Sequence, residues 1–156
     1  NANPPRELAL IALTGFSALM GLSFAVIFAV YTALSIFNAF MGAAVLFGTM
    51  SVYGYFTKQS LDSLGKYLIV GLIAIVIASI INIFVGSSVF QMVISALAII
   101  IFLGLTAYDT QQIRETVSSA DATVADEITG ALQLYLDFIN LFINLLQLFG
   151  VAKSDD

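Results

Sequence analysis

The sequence contains no cysteine and no histidine. That removes disulfides, thiol nucleophiles, the common zinc ligand sets and all imidazole acid–base chemistry. Charge is also scarce: five Lys and Arg and ten Asp and Glu make up 10% of 156 residues, for a net charge of −5. A soluble domain carries about a quarter charged residues. With so few cations the chain offers no basic surface to neutralise phosphates, and no nucleic acid partner is expected. Gly-rich phosphate loops, EF-hand loops and Ser–His or Ser–Lys pairs are missing too.

Apolar surface is abundant instead. The chain is 60% hydrophobic with a mean hydropathy of +1.03, more than a domain of this size can hide, so lipid must form part of its solvent. A helix rises about 1.5 Å per residue and needs roughly twenty apolar residues to cross a hydrocarbon core about 30 Å thick. Five stretches reach that length, at about 8–30, 37–56, 67–85, 89–108 and 130–151. The expected fold is an all-α membrane protein, a polytopic transmembrane helix bundle forming one domain over residues 1–156. The chain opens Asn1-Ala2-Asn3-Pro4-Pro5 with neither an initiator Met nor a signal-peptide pattern after it, and a start further upstream is expected.

Pro4-Pro5 stands where proline can begin a helix but not extend it backwards. Gly86-Ser87-Ser88 makes the third and fourth spans antiparallel neighbours. Two polar connections, Thr57 to Lys66 and Thr110 to Thr129, read as longer loops. Alternating sides puts Arg6, Lys58, Lys66 and Arg114 on one face and Lys153 on the other, so the first face is expected to be cytoplasmic. Five of the six tyrosines (Tyr31, Tyr53, Tyr55, Tyr67, Tyr108) fall at span ends, where an amphipathic ring suits the headgroup boundary. Ridges of small residues, Ser17-Gly21-Ala25-Ala29 on the first helix, Ala44-Gly48, and Ala74-Ala78-Asn82, are expected to serve helix contacts.

An ionisable residue within a span is costly and is a functional candidate by default. Asp109, at the end of the fourth span, and Asp137, inside the fifth, qualify. Should the fourth helix continue through Gln111 to Arg114, Asp109 reaches the depth of Asp137 and the two can meet and share a proton. Otherwise Asp109 is an interfacial residue, solvated or paired with Arg114. On the fifth helix Gln133, Asp137, Asn140, Asn144 and Gln147 recur at intervals of four, three, four and three, forming one polar stripe. Such a stripe must line an internal polar cavity or form an interhelical hydrogen-bond seam. Gln133, Asn140 and Asn144 are the expected cavity-lining residues, while Phe138 and Leu145 are expected to face outward. Tyr108-Asp109 matches half of an intramembrane aspartyl protease signature, but Leu134-Tyr135-Leu136-Asp137 lacks the glycines of the other half, so no enzyme is expected.

Three long segments carry a resemblance. They are Phe47-Gly48-Thr49-Met50-Ser51-Val52-Tyr53-Gly54-Tyr55 with Thr57-Lys58, Gly104-Leu105-Thr106-Ala107-Tyr108-Asp109-Thr110-Gln111, and Gly130 through Phe142. In these the sequence resembles the bacterial branch of the Bax inhibitor-1, or transmembrane Bax inhibitor motif, family. The resemblance implies a seven-helix fold whose last, polar-striped helix is central, of which this chain matches the C-terminal five helices. It makes Asp109 and Asp137 similar to the family's pH-sensing aspartates. It also implies a pH-responsive calcium leak, and association with a membrane protease in a bacterial relative. In the family an arginine of the second upstream helix latches onto the aspartate matching Asp109; neither that helix nor that arginine is in this sequence.

The expected function is a pH-sensitive calcium or cation leak in the bacterial inner membrane, with Asp109 and Asp137 as sensor and weak calcium ligands and no other cofactor. The alternative is a non-conducting accessory protein that binds other membrane proteins.

Overall fold

The computed structural model describes residues 6–150, apart from the side chains of Arg6, Ala9, Met20 and Ser23. Pro4-Pro5, Lys153 and the expected end of the last span at Val151 lie outside the described residues. Five helices follow one another: α1 (Arg6–Val30), α2 (Ala33–Phe56), α3 (Asp62–Val85), α4 (Ser88–Val117) and α5 (Val124–Phe149). All five are long and apolar enough to cross a membrane. Among the described residues there is no strand.

Local chemistry accounts for most helix ends. Thr32 caps α2 by accepting from the Ser35 amide at 3.2 Å, and Ser87 caps α4 by accepting from that of Phe90 at 3.1 Å. Gly86, at φ 72°, ends α3 in the left-handed conformation, which lets α4 begin two residues later.

Two of the expected loops are shorter than their polarity suggests. α4 runs nine residues past Tyr108 to Val117, and α5 begins at Val124, so only 118–123 joins them. Nothing from Leu105 to Val117 breaks a helix; polarity there marks departure from lipid, not loss of helix. A capping box starts α5, with Thr123 Oγ1 accepting from the Asp126 amide and Asp126 Oδ2 from the Thr123 amide. α3 starts at Asp62, five residues before the expected Tyr67. Its first turn is held by α4: buried Gln111 accepts from the Leu61 amide and donates to the Gln59 carbonyl, while Gln112 donates to Asp62.

α4 packs against α2, α3 and α5, and α5 against α4 and α2. The core formed there includes Ala43, Ala98, Phe102, Leu105, Leu141, Phe142 and Leu146. The surface is inverted relative to a soluble protein. Phe84 is 86% exposed and Ile83 77%, whereas Asp137 is 4% exposed, the distribution expected when lipid surrounds the bundle.

Two sequence expectations change here. Close packing does not use the α1 ridge: Ser17, Gly21, Ala25 and Ala29 are all exposed, and a methyl group on Gly21 would meet nothing within 4 Å. Glycines on other helices perform that role, Gly54 against the Ala107 backbone and Gly65 against the Tyr108 ring. Phe138 is not an outward residue either. Its ring packs edge-on against Phe40 at 5.4 Å and Phe47 at 5.5 Å on α2, and Leu145 approaches Gly42 of the same helix.

Candidate functional site

The site begins with the length of α4. Because the helix continues to Val117, Asp109 stands eight residues, or roughly 12 Å, inside its end. α5 runs antiparallel beside it, and Gly130 makes room for the Ile113 side chain, which a Cβ would meet at 2.7 Å. Asp109 of α4 and Asp137 of α5 are thereby brought close enough for their carboxyls to interact. Asp137 is buried, and one of its oxygens, Oδ2, has no hydrogen-bond partner among the described residues.

The groups around the pair leave it to itself. Thr106 and Thr110, both buried, donate their hydroxyls back to the carbonyls of Phe102 and Thr106 at 2.7 Å. Arg114 does not pair with Asp109. Its guanidinium donates to the Tyr55 carbonyl in the last turn of α2 and lies 6.0 Å over the Tyr55 ring, where the negative end of the helix dipole favours a cation.

Two cavities run along the polar stripe. One, of about 320 Å³, opens near the α4–α5 turn and is lined by Tyr108, Asp109, Gln112, Asp126 and Gln133 among others. The other, of about 410 Å³, lies between α3, α4 and α5 and includes Ser79, Gln91, Phe102, Asn140, Asn144 and Gln147 in its wall. Asp109 is part of the wall of the first, and Asp137 lies on the stripe four residues after Gln133 of the first and three before Asn140 of the second. A larger cavity, about 510 Å³, sits between α2 and the end of α5 around Thr32, Asn38 and Leu145. It is lined by no titratable group and lies apart from the carboxyl pair.

The stripe divides by depth. Gln133 is exposed in the first cavity, while Asn140 and Asn144 are half-buried in the second. Gln147 joins a cross-helix network: its Oε1 accepts from Gln91 Nε2 and from Ser95 Oγ, both at 3.3 Å, and Gln91 Oε1 accepts from Asn82 Nδ2 at 3.2 Å. This is the seam expected as one alternative for the stripe, met at Gln147; its partners Gln91 and Ser95 were not foreseen, because they sit singly in an apolar run. Sequence reasoning also missed the Gln111 clamp. The Thr123-x-x-Asp126 capping box was legible and would have placed the start of α5.

The profile of the family described as inhibitor of apoptosis-promoting Bax1 matches residues 1–155. The chain belongs to the Bax inhibitor-1 family. The inner membrane protein YbhL of Escherichia coli is 46% identical over 140 residues, covering 86% of this chain and 60% of that protein. An uncharacterized membrane protein of Streptococcus pyogenes is 40% identical over 150 residues, covering 95% of this chain and 65% of that protein. YrjE of Lactococcus lactis is 40% identical over 151 residues, with 96% and 64% covered. The chain thus spans less than two thirds of the length of these relatives. It is an integral membrane protein of the family, and the expected inner-membrane location agrees with the name of the E. coli relative.

Proposed function

We propose that this protein is a pH-sensitive leak pathway for calcium or other cations in the bacterial inner membrane, with the Asp109–Asp137 pair as its sensor. The observation that carries the reading is two neighbouring carboxyls, one of them buried, on helices whose polar residues line two cavities. Two carboxylates in a poorly solvated site cannot both ionise cheaply, so the pair holds a proton between them at acid pH. Losing it leaves two adjacent negative charges. They push α4 and α5 apart or draw in a divalent cation, for which carboxylate oxygens are suitable weak ligands. Either response opens a path along Gln133, Asn140 and Asn144, and acid closes it.

The other ionisable groups near the pair are Tyr108 and Asp126 in the first cavity, while Arg114 is held by α2 at Tyr55. No cation of α2, α3 or α5 lines either cavity. On this reading the protein is not an enzyme, and it needs no cofactor beyond its transported ion.

The alternative is a non-conducting accessory protein that binds other membrane proteins, such as a membrane protease. The exposed ridge Ser17-Gly21-Ala25-Ala29 favours it, since such ridges admit a neighbouring helix closely. Calcium flux in proteoliposomes tests the two readings. Flux that falls with acid and loses its pH dependence in Asp137→Asn supports the leak; absence of flux with copurification of a membrane partner supports the accessory role.

A further inference from the structure

The second cavity has a chemistry of its own. Asn140 Nδ2 donates to the Leu136 carbonyl at 2.8 Å, and Asn144 Nδ2 to the Asn140 carbonyl at 2.7 Å. Each amide therefore spends donor capacity on its own helix. Neither Oδ1 has a hydrogen-bond partner among the described residues, neither is fully buried, and both residues line the cavity. The two asparagines stand one turn apart, about 6 Å along α5. Across the gap α3 contributes the Ser79 hydroxyl, and α3 makes no backbone contact with α5, which leaves the space open. At the far end Gln91, Ser95 and Gln147 bond to one another, and Asn82 ties them to α3, so the wall is braced by side chains of three helices.

We infer that the cavity between α3, α4 and α5 is a cation site in which the Asn140 and Asn144 side-chain oxygens replace part of the ion's water shell. Unpartnered carbonyl oxygens attract cations, the Gln91 and Ser95 donors at the far end are spent on the Gln147 network, and no Lys or Arg lines the cavity to repel a cation. Because the oxygens are neutral, binding is weak enough for the ion to leave again, as conduction requires. The asparagines then govern how fast an ion passes, and the aspartates govern at which pH it does. This division rests on the leak reading above; the site itself does not.

Two measurements on the full-length protein separate the claims. The first is calcium flux in proteoliposomes across a pH series, comparing wild type with Asn140→Leu/Asn144→Leu. The variant is expected to lose about tenfold of the flux at every pH, with the shape of the pH profile unchanged. Asn140→Ser/Asn144→Ser, which keeps an oxygen at each position, is expected to retain more flux than the Leu pair and serves if the Leu pair does not fold. The second is thermal stability in detergent with the aspartates neutralised as Asp109→Asn/Asp137→Asn, titrated with calcium chloride against tetramethylammonium chloride of equal ionic strength. Calcium is expected to raise the melting temperature in that background, and to do so less once the asparagines are replaced by serine or leucine. Wild-type flux with unchanged flux in the asparagine variants, or a shifted pH profile, overturns the inference and leaves the leak intact. No flux, but calcium stabilisation that depends on the asparagines, sustains the site and overturns the leak. Absence of both effects overturns both.

Discussion

Gly54 of α2 lies against the backbone of Ala107 in α4, so closely that a Cβ on Gly54 would clash with the Ala107 carbonyl oxygen. The contact sits two residues from Asp109 and fixes where α2 meets the α4 segment that carries the site. Backbone cannot move aside as a side-chain tip can, so Gly54→Ala should destabilise the protein by about 2 kcal/mol through overpacking. Gly48, with nothing within 4 Å of its Cβ position, supplies the control: Gly48→Ala should change stability by less than about 1 kcal/mol. Thermal melts followed by circular dichroism in detergent compare the two. Equal effects would mean that the α2–α4 approach is not close.

Gln111 is 1% exposed and uses both ends of its amide on the α2–α3 connection. Gln111→Leu fills the space but strips the Leu61 amide and the Gln59 carbonyl of their partners. A loss of about 2 kcal/mol is expected, since a deserted buried group such as the Leu61 amide costs about 1–3 kcal/mol. Gln112→Ala breaks an exposed bond to Asp62 and should cost about 0.5 kcal/mol or less. Hydrogen exchange at residues 59–65 should accelerate in the first variant and not in the second.

Phe138 is clasped by Phe40 and Phe47, which makes Phe138→Ala a core truncation of about 3 kcal/mol. Phe84→Ala, on a side chain 86% exposed, should stay within about 0.5 kcal/mol. Denaturation in mixed detergent measures both. A tolerated Phe138→Ala would return that residue to the lipid face.

For the carboxyl pair, Asp109→Asn and Asp137→Asn should each flatten the pH dependence of cation flux. Flux should be larger at alkaline than at acid cytoplasmic pH in the wild type, because only deprotonation creates the opposing charges. Residues that act as one unit are non-additive, so the double variant should add little to either single change. Strictly additive losses would show that the aspartates act separately.

Orientation has a simple test because the chain lacks cysteine. Lys58→Cys and Gln112→Cys, both at the end that carries the α2–α3 and α4–α5 connections, should react with a membrane-impermeant thiol reagent only after the cells are opened. Labelling from outside intact cells would reverse the topology.

The fold class followed from composition and length, since apolar runs of some twenty residues with few charges have no stable arrangement other than membrane-spanning helices. The candidate residues were legible for the same reason: a carboxylate or an amide row is conspicuous in a chain with so little polarity. The ends of α4 and α5 were not, because hydropathy reports where lipid stops and not where helical hydrogen bonding stops. Which faces meet was also beyond one-dimensional reading. The evenly spaced ridge on α1 is left open while single glycines at 54, 65 and 130 make the close contacts, since spacing is a property of one helix and contact a property of two. The approach of Asp109 to Asp137, the division of the polar stripe between cavity and hydrogen-bond network, and the lack of a partner for either asparagine oxygen depend on how α3, α4 and α5 are set against one another. Only the tertiary structure decides that.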